Sequence, residues 1–236
     1  AGIVHDGELV WTGSTGFSDI AARRVADART MHRVASITKT FTATAIVALR
    51  DDGVLGLDDP LVAHLPEAAA AQSAAGPIEA VTLRLLLAHQ SGFQSEPPGT
   101  DFTVGVYEGD AATNLARAAE FGTRVPVATQ EKYSNLGYQL LGEVVARRSG
   151  MPYADFVRTR ITEPLGMTRT TSRYADFMRQ GNRAVGHVRS GAGWAPGAPR
   201  NADPQSPAGG ASSSARDMAR WLALLLAQGR WQGRSL

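Results

Sequence analysis

The sequence contains no cysteine, which excludes disulfides and thiolate metal sites and leaves the redox compartment open. Lysine is almost absent too. Of 24 basic residues only Lys39 and Lys132 are lysines, the rest being arginine. No apolar run approaches the roughly 18 residues needed to cross a bilayer; the longest surrounds Trp221 to Ala227 and is of helix-core size. Charge of one sign is also lacking. A net charge of +2, with arginines scattered along the chain, argues against a nucleic-acid partner. The chain opens directly on Ala1-Gly2-Ile3-Val4, with no signal-like segment in those residues. What remains is ordinary: 236 residues, 43% hydrophobic and 19% charged, enough for one large domain or two interleaved lobes around a sizeable core.

The scarcity of lysine singles out two positions, because lysine, unlike arginine, can lose its proton when buried. Ser36-Ile37-Thr38-Lys39 places a hydroxyl at the start of a predicted helix and an amine one turn later. Residues i and i+3 share a helix face, so the amine can reach the hydroxyl. Serine needs such a base to act as a nucleophile. Lysine can serve only when neutral, its usual pKa of about 10.4 lowered by burial or nearby positive charge. With 15 serines and two lysines this spacing arises by chance in about one chain in eight. A helix-capping serine followed by a solvated lysine is therefore an equal competitor. Tyr133-Ser134-Asn135 adds a phenol and a carboxamide that share one side of an extended segment, able to supply a proton relay and an amide-binding hook. The plain alternative is a surface tyrosine and an Asn135 helix cap.

The rest of the chain reads as α+β. A hairpin is expected from Gly2-Ile3-Val4, a His5-to-Glu8 turn and Leu9-Val10-Trp11. A helix is predicted from Ser36 to about Arg50, with Phe41, Ala45, Ala48 and Leu49 inward and Gly53 as its stop. Others are predicted from Thr82 to Ala88, near Ala111 to Glu120, after Asn135 to Gly150, from Pro152 to about Ile161, and from Ser214 to Ala227. Asp217 three residues after Ser214 completes a capping-box pattern. Residues 68–76 read as a loosely held linker and 190–210 as a long loop. The histidines His5, His32, His64 and His187 lack metal-ligand spacing, and Lys132 reads as a solvated neighbour of Tyr133.

Val34 to Lys39, Leu86-Leu87-Ala88-His89-Gln90-Ser91-Gly92, Tyr133 to Tyr138, Glu163-Pro164-Leu165-Gly166-Met167 and Ala208-Gly209-Gly210-Ala211 occur in an order and spacing that resemble one family throughout. It is the group of class C β-lactamases, D-Ala-D-Ala carboxypeptidases and family VIII esterases, matched from Gly2 to about Gly229. The resemblance implies a β-lactamase/transpeptidase-like fold: an antiparallel sheet flanked by helices, plus a helical lobe. One domain is expected over 1–236, with 1–54 and 208–236 on the sheet side and 55–207 mainly helical. The resemblance also implies that Ser36 is acylated, Lys39 takes its proton, Tyr133 carries a proton to the leaving group and later from water, and Asn135 binds the substrate amide. The backbone N–H of Ser36 would form half of an oxyanion hole. His89 resembles a position that ties a loop by hydrogen bonding, and Gly209 and Gly210 resemble close-approach positions beside the site. No metal or organic cofactor is implied; the partner is a small-molecule ester, amide or D-peptide. By the same resemblance a bacterial periplasmic or secreted location is favoured, with a cytoplasmic one also open.

Two features depart from the family pattern. Pro126 is followed by Val127 where a Pro-Gly is usual, and no Lys or His followed by Thr or Ser and then Gly occurs in the chain. The sequence is therefore expected to be the N-terminal portion of a longer protein, cut before its C-terminal strands. Two functions follow as expectations: a serine hydrolase forming an acyl-Ser36 intermediate, or a non-catalytic penicillin-binding or peptidoglycan-sensing module on the same fold. The residues do not choose among ester, D-peptide and β-lactam.

Overall fold

The computed structural model describes residues 1–71, 73, 76–95 and 111–235. The chain divides into two compact units, one of Ala35–Val157 with Ala202–Gly210, the other of Ala1–Val34, Arg158–Asn201 and Ala211–Leu236. These boundaries place the helix expected on the sheet side within the first, helical unit.

The helical unit is built from α1 (Thr38–Asp51), α2 (Leu61–His64), α3 (Leu83–Leu87), α4 (Ala111–Phe121), α5 (Asn135–Ser149) and α6 (Tyr153–Val157). Its core is the inner faces of α1 and α5. Phe41, Ala45 and Ile46 of α1 and Leu136, Leu140, Leu141, Val144 and Val145 of α5 are all fully enclosed. Each large aliphatic side chain there contributes roughly 2 kcal/mol by leaving water. The helix ends follow local chemistry. Thr82 caps α3 by accepting from the Leu85 N–H, and Gly150, at φ 72°, takes the left-handed turn that ends α5. Gly53, at φ 71°, follows α1 as expected.

Three expectations need correction here. The regular helix begins at Thr38, because Ala35 at φ 46° starts a separate 3-10 turn, Ala35–Ile37, that carries Ser36. The cap of α5 is Ser134, whose Oγ accepts from the Gly137 N–H at 2.9 Å, so Asn135 is the first helical residue. Residues 68–76 are not uniformly loose. Pro66–Ala70 forms a 3-10 turn whose Ala68 is buried, as is Ala71, while residues 72, 74 and 75 lie outside the described residues. The segment joining α3 to α4 falls largely outside them as well, at 96–110.

The second unit carries the described strands, in antiparallel pairs. They are β1 (Gly2–His5) with β2 (Glu8–Thr12), β3 (Phe17–Asp19) with β4 (Arg24–Val25), β5 (His32–Arg33), β6 (His187–Ser190) with β7 (Gly193–Pro196), β8 (Ser212–Ser213) closing on β5, and β9 (Arg230–Trp231) with β10 (Arg234–Ser235). Helices α7 (Tyr174–Arg179) and α8 (Ala215–Leu226) complete it, α8 packing on β1 and β2. The mixed α+β composition agrees with the sequence, although the strands form small pairs. Residues 190–210 are not one loop: Gly191, at φ 58°, turns the chain so that β7 pairs with β6, and 203–210 coil into 3-10 and π turns. The helix from Pro152 is α-helical only to Val157, and Arg158–Thr162 widens into a π turn. At α8 the capping box is half formed. Ser214 Oγ accepts from the Asp217 N–H, but the Asp217 carboxylate instead accepts from the Arg169 N–H and the Thr170 hydroxyl.

Candidate active site

Ser36, Lys39, Tyr133 and Asn135 all lie in the helical unit, and the fold brings the four together. Ser36 is exposed on the turn before α1, and Lys39, one helical turn further on, is buried. The Lys39 Nζ lies 3.4 Å from Ser36 Oγ. It donates to Asn135 Oδ1 and to the Ala208 carbonyl, each at 2.6 Å. The Tyr133 hydroxyl donates to Ser36 Oγ at 2.7 Å. Ser36 Oγ thus sits between a phenol and an amine. The solvated-lysine alternative is inconsistent with a side chain only 6% exposed and bonded to two carbonyl oxygens.

The local backbone explains the convergence. Ala35 occupies the left-handed region that a non-glycine residue enters at a cost of about 1–3 kcal/mol. That conformation swings Ser36 onto its own turn, ahead of the helix that fixes Lys39. Across from them the chain enters α5 extended at Ser134, with Tyr133 before the cap and Asn135 after it. Because Ser134 caps the helix, the carboxamide of Asn135 is left to meet Lys39. The two helix starts therefore supply one hydroxyl, one amine, one phenol and one amide to a single place.

A layer of aromatic rings encloses the amine. Lys39 Nζ stands 4.7 Å from the Tyr133 ring centroid and 5.5 Å from that of Tyr138, within cation–π range. His89 stacks against both rings, with centroids at 4.5 and 5.0 Å. Its Nδ1 accepts from the Ser134 N–H at 3.1 Å, and its carbonyl accepts from the Lys132 N–H at 2.7 Å. The segment before α5 is thereby tied to the end of α3. Burial, and then the positive charge of Lys39, hold the His89 imidazole below its ordinary pKa, with Glu131 opposing. An Nδ1 that accepts a backbone N–H requires the neutral ring, so geometry and electrostatics agree. Tyr138 donates to the Leu87 carbonyl, and burial, then the neighbouring Tyr133, pushes its phenol up.

Two participants were invisible in the sequence. The Ala208 carbonyl carries no side-chain signature, and Tyr138 stood in a matching segment without an assigned place. Gly210 does mark a close approach: a Cβ there would come within 2.8 Å of the Ala202 carbonyl oxygen. Lys132 is half-buried, with its backbone bonded to His89. Among the described residues no group of three His, Asp or Glu side chains is placed to hold a metal ion. A cleft of about 590 Å³ opens elsewhere in this unit, bordered by Glu67, Leu115 and Arg147. Neither Ser36 nor Lys39 borders it, so the chemistry and not that cleft locates the candidate site.

With this geometry in view, comparisons place the chain among known proteins. The family model described as Beta-lactamase matches residues 1–235. Beta-lactamase-like protein 4 of Dictyostelium discoideum is 32% identical over 203 residues, covering 82% of this chain and 35% of the relative. The octameric penicillin-binding protein homologue from Pyrococcus abyssi superposes with a TM-score of 0.81 at 27% identity, over 96% of this chain and 52% of that one. A D-stereospecific amidohydrolase from Streptomyces sp. gives a TM-score of 0.73 at 29% identity, over 86% and 62%. The chain therefore spans only about a third of that curated relative's length and little more than half of these structures.

Proposed function

We propose, for a chain that belongs to the Beta-lactamase family, that it carries the nucleophilic half of a serine hydrolase acting on small amides or esters through acyl-Ser36. The observation that bears most weight is the double contact of Ser36 Oγ, 2.7 Å from the Tyr133 hydroxyl and 3.4 Å from the Lys39 amine. A neutral amine has two N–H bonds and one lone pair. Lys39 Nζ donates to Asn135 Oδ1 and the Ala208 carbonyl and lies within reach of Ser36 Oγ, so that in its neutral form its lone pair can take the Ser36 proton. Tyr133 already donates to Ser36 Oγ, so the serine proton has the amine as its acceptor.

Ser36 Oγ bonds to the substrate carbonyl carbon as its proton passes to Lys39. The tetrahedral adduct collapses, the bond to the leaving amine or alkoxide breaks, and Tyr133 protonates that group. The Lys39 ammonium then restores the proton to Tyr133. In deacylation water bonds to the acyl carbon and the Ser36 ester bond breaks; one water proton ends on Ser36 Oγ through the same pair. Asn135 orients Lys39 through its oxygen, and its place beside Ser36 and Lys39 supports a role in binding the substrate amide.

Likeness to a D-stereospecific amidohydrolase and to penicillin-binding and β-lactamase-like proteins supports amides of D-amino acids, β-lactams and simple esters as the substrates to try. A fluorophosphonate probe or a fluorescent β-lactam should label the folded protein at Ser36, located by peptide mass. Lys39→Ala should lower the labelling rate by about 10²–10⁴. Folded protein that takes no label, or label on another residue, would overturn the assignment. A second possibility is a binding module on this fold that acylates without release, supported by likeness to a penicillin-binding protein homologue. A single burst of leaving group without steady turnover supports that alternative; sustained turnover excludes it.

A further inference from the structure

Behind the amine lies a second set of buried hydroxyls. Thr42, one turn beyond Lys39 on α1, is fully enclosed, and Tyr153 at the start of α6 is nearly so. Thr42 Oγ1 donates to the Pro207 carbonyl at 2.7 Å and lies 2.7 Å from the Tyr153 hydroxyl oxygen. A threonine hydroxyl has one proton, and a carbonyl oxygen only accepts. Tyr153 must therefore be the donor to Thr42, giving a one-way relay from Tyr153 to Thr42 to Pro207. Burial pushes the Tyr153 phenol up, which keeps that proton in place.

The next peptide along is the one Lys39 uses. Pro207 immediately precedes Ala208, whose carbonyl accepts from Lys39 Nζ at 2.6 Å. Helix α1 thus holds the π turn Ser206–Gly210 at two consecutive carbonyls, with Lys39 and Thr42 on the same face. From the other side α5 presents Gly142, where a Cβ would fall 2.0 Å from Pro207 Cγ. The Pro207 ring therefore rests directly on the α5 backbone. We propose that Thr42 and Tyr153 are positioning residues that, by fixing the Pro207 peptide, hold the Ala208 carbonyl on the Lys39 amine and so aim that amine at Ser36. The catalytic meaning rests on Lys39 as the base; the dependence of the Lys39 contact on Thr42 stands apart from it.

The two-lysine composition makes the test direct. Lysine labelled with ¹³C at the ε-carbon gives two NMR signals, and Lys39→Ala assigns them. Besides the two acceptors, the described groups around the Lys39 amine include Ser36, Tyr133, Tyr138 on α5 and His89 after α3, and Glu131 acts electrostatically on that imidazole. In Thr42→Val the Lys39 titration should move to lower pH, because the ammonium loses a carbonyl acceptor that favours it more than the neutral amine. The high-pH plateau of the acylation rate should fall about tenfold, the worth of one misplaced hydrogen bond. Thr42→Ser should restore both. Thr40→Val, which removes another α1 hydroxyl, one that donates to the Ile37 carbonyl and not to the π turn, should change neither.

Lost stability alone does not mimic this pattern. The double variant Thr42→Val/Tyr153→Phe removes the orphaned phenol and should recover stability, while the shifted Lys39 titration stays. A folded Thr42→Val protein with an unchanged Lys39 signal, midpoint and acylation plateau would overturn the proposal. Should Thr42→Val not fold, Tyr153→Phe must show a smaller shift in the same direction, and no shift counts against the proposal. Wild-type protein that fails to acylate defeats the hydrolase assignment, and the Lys39 titration still decides the positioning.

Discussion

The two units of this chain solve the burial problem differently. In the helical unit, α1 and α5 enclose their apolar faces almost completely, and several of the polar groups inside are bonded in pairs, such as Lys39 with Asn135 and Thr42 with Tyr153. The strand-bearing unit leaves large apolar side chains in water: Val10 is 58% exposed, Trp11 52% and Leu226 66%. Its strands come in short pairs, and β4, β5, β8, β9 and β10 have two residues each. A buried amine needs surroundings that cannot relax around it, and only the first kind of packing supplies them. The candidate site lies wholly within that unit.

Truncating matched leucines should sharpen this contrast most. Leu140→Ala in α5 removes a side chain with no exposure and should cost about 2–5 kcal/mol, read from urea or thermal unfolding. Leu226→Ala at the end of α8 should stay within about 0.5 kcal/mol, since most of that side chain already meets solvent. Equal losses at the two positions would mean that the units do not differ in packing as described.

Much of this was legible in advance, and the misses are informative. Ser36, Lys39, Tyr133 and Asn135 stand out because side-chain chemistry at fixed spacing is written directly in sequence. Helices α1, α5 and α8 declare themselves by a 3.6-residue period and by Gly53, Gly150 and Ser214 at their ends. Three features are hidden. The Ala208 carbonyl is backbone, and any residue there would offer it. The Ser134-or-Asn135 choice of cap turns on a one-residue offset between two good capping types, and only the fold resolves it. Strand β7 lies in a Gly-, Pro- and Ala-rich stretch whose composition indicates loop, while Gly191 supplies the turn that pairs it with β6.

Two glycines test the same contrast at smaller magnitude. A Cβ at Gly142 meets Pro207 Cγ at 2.0 Å, and one at Gly13 meets the Trp11 ring at 2.3 Å. On distance alone the two substitutions look alike. Pro207, however, is a rigid ring in a buried turn held at both carbonyls, whereas Trp11 is half exposed and can swing aside. Gly142→Ala should therefore destabilise by about 1–3 kcal/mol, the usual cost of overpacking. Gly13→Ala should lie within about 0.5 kcal/mol of wild type. Thermal melts of the two variants side by side decide it, and a large loss at Gly13 would show that the hairpin is held more tightly than its exposure implies.

The smallest expected effects are in pH, where His89 and Asp27 should act in separate windows. His89 in the helical unit has its pKa held below the ordinary 6.5 by burial and by Lys39. As pH falls past 6.5 the unfolded chain takes up that proton before the folded one does. The stability associated with His89 is therefore complete above about 6.5 and declines as the solution becomes more acid. Protonation also removes the Nδ1 acceptor for the Ser134 N–H, next to Tyr133. Asp27 in the other unit shifts in the same direction, in a lower window. Burial would raise its pKa, but hydrogen bonds from Asn182, Arg29 and Thr30 outweigh that and hold it below 3.8. Its contribution is present above 3.8 and is lost only as pH falls through the lower folded value. Urea unfolding from pH 8 to pH 3 should thus lose stability first through His89 and through His32, whose pKa burial also holds below 6.5. His89→Gln should reduce the slope just below pH 6.5, leaving the part due to His32, and Asp27→Asn should leave the slope there unchanged. A slope there that is unchanged in His89→Gln would assign the sensitivity to other groups and leave the Ser134 bond without its proposed pH dependence.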